Sequence, residues 1–202
     1  MAEATRTTGA PSLGGWIVRD LVLTTIAIGG LWGLAQWHAS AGSLFTLLLA
    51  PTFGFIAAYA LCYIYHEWGH LVGANLAGAR MPLAPYAGAL IGSFDIRSHS
   101  RGQFLWLSWG GVLGYVLTLM AALVVHTSGR LGLAGAGFAV GALAFNVQSL
   151  SVDLPQIARV HRGADIAQTS AEGANARIIL RRTWQSWSVL ALALLAWNLL
   201  AA

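Results

Sequence analysis

From Ser43 to Gly78 the chain is apolar almost throughout, and this run exceeds the roughly 20 residues that one plain membrane span needs. Three ionisable side chains lie together inside it, in the sequence Tyr65-His66-Glu67-Trp68-Gly69-His70-Leu71. Ionisable groups at membrane depth are costly and mark function by default. On a helix, His66 and His70 stand four residues apart on one face, a turn above each other. Two imidazoles so placed can grip one zinc ion, with Glu67 beside them as a base for an attacking water. Pro51 is tolerated at a helix start, so the main helix begins or kinks there. At 1.5 Å per residue, His66 lies about 22 Å from Pro51 and about 21 Å from Arg80. The motif therefore falls inside the hydrocarbon, towards the C-terminal end of its helix.

Composition agrees with a bilayer setting. Of 202 residues, 57% are hydrophobic and 9% charged, where a soluble domain carries about 25% charged residues. The mean hydropathy is +0.66. All 11 basic residues are arginine, which together with abundant Ala and Gly suggests a GC-rich bacterial genome and hence a bacterial inner membrane. The net charge of +4 is spread over helix ends, so it speaks for anchoring to anionic headgroups and against nucleic acid. The single Cys62 excludes a disulfide framework within one chain and reads as a quiet core thiol.

The fold expected is an all-α polytopic membrane protein of about five helices, forming one membrane-embedded domain over residues 1–202. Residues 1–16 read as a flexible start. Leu21–Trp37 forms a first helix; a signal peptide cleaved near Ala39-Ser40-Ala41 is the competing reading. The motif helix follows. Residues 81–96 hold two prolines and two glycines, which reads as a re-entrant or strand-like piece, or as an interfacial loop. Gln103–Val125 is a third helix, whose Gly110, Gly111 and Gly114 allow close packing. Leu131–Val152 is a fourth, which Pro155 then stops. A polar, Arg-rich connection over 156–183 leads to a last helix over 184–202. The arginines flank the N-terminus and the two long connections, which places those on the cytoplasmic side.

A catalytic zinc site typically takes three protein ligands. Helices two and four run the same way, so the C-terminal part of helix four approaches the motif's depth, and Asp153 is there. Asp20, Asp95, Asp165 and Glu172 are the other acids considered. The competing reading of Asp153 is an ordinary interfacial acid near Arg159.

These residues resemble the site-2 protease family of intramembrane zinc metalloproteases. The matching positions are His66, Glu67 and His70, then Asn146 and Asp153, with Ser108-Trp109-Gly110-Gly111-Val112-Leu113 similar to the family's third-helix start. The resemblance covers about residues 43–160, the metalloprotease-like core. The family's proline between Asn and Asp is missing here, and Leu154 stands where a glycine is usual.

The resemblance implies an endopeptidase with one Zn²⁺ per chain on His66, His70 and Asp153. Glu67 would be the catalytic base, and Asn146 would hydrogen-bond substrate or oxyanion. The 81–96 segment would offer an edge strand to an unwound transmembrane substrate. Recognition would come from the membrane core or from a regulatory membrane partner, because no further domain is evident. Asn146 also reads as an interhelical hydrogen bond. Two rival functions stand beside the protease: an inactive homologue that binds membrane partners, and a haem-binding or transport protein. Trp68 lies off the ligand face and is expected to pack on a neighbouring helix.

Overall fold

The computed structural model describes residues 12–86 and 90–173, and 175–188 apart from 176, 182 and 186. Among these, four helices are long and apolar enough to cross a membrane: α1 (Leu13–Ala41), α2 (Leu44–Leu76), α3 (Arg101–Thr127) and α4 (Gly132–His161). A short α5 (Ile166–Gly173) follows. The chain is thus an all-α membrane protein, and the described residues hold four such helices. The helix expected over 184–202 lies outside the described residues from 189 onward.

Three of the four long helices start where the sequence supplies a serine cap, and α4 starts after Leu131 without a side-chain cap. Ser12, Ser43 and Ser100 accept backbone N–H groups at the starts of α1, α2 and α3, and Gln103 completes a capping box with Ser100. The Ser12 cap starts α1 eight residues earlier than hydropathy alone indicates, so Leu13–Trp16 are helical rather than part of a flexible start. Residues 1–11 are outside the described set.

Pro51 lies inside α2, and Pro155 inside α4. The expectation that Pro155 stops the fourth helix is therefore corrected: α4 continues to His161. Proline removes one intrahelical hydrogen bond, but the following turn gains other anchors. Ile157 and Val160 are buried, the Gln156 amide reaches the Val152 carbonyl at 3.4 Å, and the Arg101 guanidinium bonds the His161 carbonyl. This keeps Asp153 on a helix rather than at a helix end.

α2 is the hub, packing on α1, α3 and α4. Its glycines set how closely the others approach. A side chain at Gly69 or Gly73 would strike the α3 backbone at Gly110 or Trp106, and one at Gly114 would strike Tyr65. These pairings run in opposite directions, so α2 and α3 are antiparallel. Gly137 faces Pro51, Gly141 faces Phe55, and the Tyr59 hydroxyl bonds Gln148. Those pairings ascend together, so α2 and α4 are parallel, as helix parity requires. Small residues that let backbones touch are how membrane helices associate without a hydrophobic driving force between them.

The 81–96 segment is neither a free loop nor a full strand pair. A single antiparallel bridge joins Leu83 to Gly92, supported by Ala84 N–H to Ile91 O and Ser93 N–H to Pro82 O, both 3.0 Å. Residues 87–89 lie outside the described set. Ile91 is fully buried with Trp16 and Leu71, so the turn is tucked between α1 and α2. The N-terminal end of α1 clamps it: Trp16 Nε1 donates to the Ala84 carbonyl at 3.0 Å, and Arg19 to the Tyr86 carbonyl at 3.1 Å.

Candidate metal centre

His66, Glu67 and His70 offer ligand atoms that all lie within 4.8 Å of one another. The two Nε2 atoms are 3.0 Å apart. Two imidazoles on one tetrahedral zinc stand about 3.3 Å apart, given bonds of about 2.0–2.1 Å. The helix alone thus brings the pair near to chelating separation.

α3 fixes the second histidine. His70 Nδ1 lies 2.8 Å from the Leu107 carbonyl oxygen. A carbonyl only accepts, so Nδ1 carries the proton and Nε2 is left with its lone pair facing His66. This contact exists because α3 comes so close: a side chain on Gly111 would occupy the space of the His70 ring. His66 Nε2 then donates to His70 Nε2. For both Nε2 lone pairs to meet on one ion, His66 shifts its proton to Nδ1, a buried atom without a hydrogen-bond partner beside Gly111. Metal-binding histidines typically donate their second N–H to such an acceptor.

Glu67 is buried, and its Oε2 accepts the Ile91 backbone N–H at 3.3 Å. The turn after α2 therefore sits directly on the motif's carboxylate. Arg19 and Asp153 both act electrostatically on Glu67, in opposite senses.

Asp153 stands outside the 4.8 Å group. Its Oδ2 is buried and lacks a hydrogen-bond partner among the described residues, as does the hydroxyl of Tyr115, with which Asp153 interacts. Asp20, the first alternative, is fully committed elsewhere. Its Oδ1 pairs with Arg19 and its Oδ2 accepts Trp68 Nε1, each at 2.7 Å. Trp68 does reach a neighbouring helix, through that hydrogen bond. Asp95 lies in the exposed turn before α3, where it binds the Arg97 N–H at 3.0 Å, and Glu172 pairs with Arg159.

Asn146 is buried and gives both amide hydrogens away, to the Tyr115 carbonyl at 3.1 Å and the Ala142 carbonyl at 2.9 Å. It forms the interhelical bond, and its Oδ1 is left as a buried acceptor with no partner. As placed it has no donor for an oxyanion. Its free oxygen suits a substrate N–H.

Two histidines of neutral tautomer, a base carboxylate beside them and an unpaired carboxylate on the facing helix are a donor set that fits zinc. Two features of the site had no pattern to flag them. Tyr115 is one tyrosine in an apolar helix, and the Asp20–Trp68 bond joins residues 48 apart. An indole N–H that needs an acceptor at membrane depth was the available clue to the second. No family model, curated protein or solved structure matches the chain.

Proposed function

We propose that the chain is an intramembrane zinc endopeptidase, similar to the site-2 proteases, that cuts membrane-spanning substrates near the cytoplasmic side. The observation that carries the reading is the 3.0 Å approach of the two Nε2 atoms, with His70 locked in the metal-binding tautomer by Leu107. His66, His70 and Asp153 would hold the metal. Bound there, zinc would supply polarisation of a scissile carbonyl and a more acidic attacking water, with a pKa of about 7.

Glu67 takes a proton from that water and returns it to the leaving amine. Asn146 Oδ1 accepts a substrate N–H and sets the peptide's register. A helical substrate hides its peptide groups, so it unwinds before cleavage. The bridged turn around Leu83 and Gly92 offers backbone groups for such a strand to pair with. Ile91 N–H must release Glu67 as the strand arrives.

The arginines favour a bacterial inner membrane with the N-terminus in the cytoplasm. Arg19, Arg80, Arg97, Arg101, Arg159 and Arg162 gather at the end of the bundle where α1 and α3 start and α2 and α4 finish, while Arg130 lies at the other. The motif lies towards the arginine-rich end. A regulatory membrane partner would govern access.

One observation favours a second reading, an inactive partner-binding homologue: the base carboxylate is already engaged by the Ile91 N–H. Profiling new N-termini in membranes of cells that carry wild type, Glu67→Gln or His66→Ala separates the two. The protease reading expects cut sites within transmembrane segments that vanish in both variants. An identical set of cut sites in all three strains contradicts it.

A further inference from the structure

Tyr115 is completely buried in α3, yet its hydroxyl has no hydrogen-bond partner among the described residues. A phenylalanine would fill the same apolar space without stranding a polar group, so the hydroxyl calls for a reason. The atom it faces is Asp153 on α4, whose Oδ2 is likewise buried and unpaired. The two are complementary: a phenol donates, and an ionised carboxylate only accepts. The two side chains interact electrostatically.

The tyrosine is held where this contact can close. Its carbonyl is bound by Asn146 Nδ2 at 3.1 Å. Its ring lies 5.4 Å from the His66 ring and 5.8 Å from that of Phe145. It is one helical turn beyond Gly111, the residue that makes room for His70. Asn146 spends both amide hydrogens on carbonyls, and the hydroxyl that interacts with Asp153 is that of Tyr115.

We propose that Tyr115 is the positioning residue for the third metal ligand. Its hydroxyl binds one oxygen of Asp153 and turns the other towards His66 and His70. This rests on the zinc reading above. In the same way that Leu107 orients His70 through a backbone carbonyl, Tyr115 orients the carboxylate from the same helix. Partners of this kind hold ligand geometry, and their loss typically lowers metal affinity by about 10–100-fold.

The test is a double-mutant cycle on the purified full-length protein, with zinc affinity measured by competition against a chromophoric chelator. Tyr115→Phe is expected to weaken zinc binding by at least about tenfold, and to add nothing further once Asp153 is alanine. Its thermal unfolding without zinc should not fall, because the change removes an unpaired hydroxyl. Wild-type zinc affinity in Tyr115→Phe overturns the proposal, as does an equal loss in the Asp153→Ala background. If Tyr115→Phe does not fold, fluorotyrosine at 115 keeps the ring and hydroxyl and makes the phenol a stronger donor. A changed zinc affinity supports the proposal, and an unchanged one overturns it. Absence of zinc from the wild type itself would remove the metalloprotease reading, a result distinct from failure of Tyr115 alone.

Discussion

The Leu107 carbonyl oxygen on α3 lies 2.8 Å from His70 Nδ1 on α2. That bond decides which nitrogen of the motif's second histidine is free, and it is possible only because glycines let the two backbones nearly touch. Chemistry on α2 is therefore conditioned by packing on α3.

Gly111→Ala tests the link. Its new methyl meets the His70 imidazole, so the ring must move off Leu107 or the helices must part. Overpacking of this kind costs about 1–3 kcal/mol. Zinc content and the thermal unfolding midpoint in detergent should both fall. Gly33→Ala is the control: no atom lies within 4 Å of its methyl, and it sits mid-helix, where alanine is favoured by about 1 kcal/mol over glycine.

Trp68→Phe should destabilise the fold without touching the metal. It strips Asp20 Oδ2 of the indole N–H that now lies 2.7 Å away. An orphaned buried acceptor costs about 1–3 kcal/mol, more for a charged one. Thermal unfolding should shift down by that amount, with zinc content as in the wild type. A loss of zinc at unchanged stability would mean that Asp20 takes part in the metal site.

Glu67→Gln should retain zinc and lose cleavage. A positioned base contributes about 10²–10⁴-fold to rate, and the amide cannot take the proton. Metal analysis alongside the N-terminal profiling described above checks both halves. Persisting cleavage would assign the base to another residue.

The placing of His66, Glu67 and His70 on one long apolar helix and the parallel course of α2 and α4 were legible in the sequence, because each follows from periodicity and helix parity. Those rules place Tyr59 beside Gln148, and Asp153 within electrostatic reach of Glu67. The passage of α4 through Pro155 was not legible, since it depends on tertiary anchors at Gln156, Ile157 and Arg101 that hydropathy does not encode. Nor was the docking of Ile91 on Glu67. Prolines and glycines in 81–96 announce irregular backbone, but only α1, with Trp16 and Arg19, decides where it lies. Asn146 carried both of its readings in the sequence, and the donors it spends on Tyr115 and Ala142 favour the packing one for its amide hydrogens.

The central claim is that His66, His70 and Asp153 hold one zinc ion. Elemental analysis of purified full-length protein after dialysis tests it most directly, comparing wild type with His66→Ala, Asp153→Ala and Asp20→Asn. One zinc per chain is expected in wild type and Asp20→Asn, and strongly reduced zinc in His66→Ala and Asp153→Ala. Equal zinc in wild type and Asp153→Ala, or no zinc in the wild type, would contradict it.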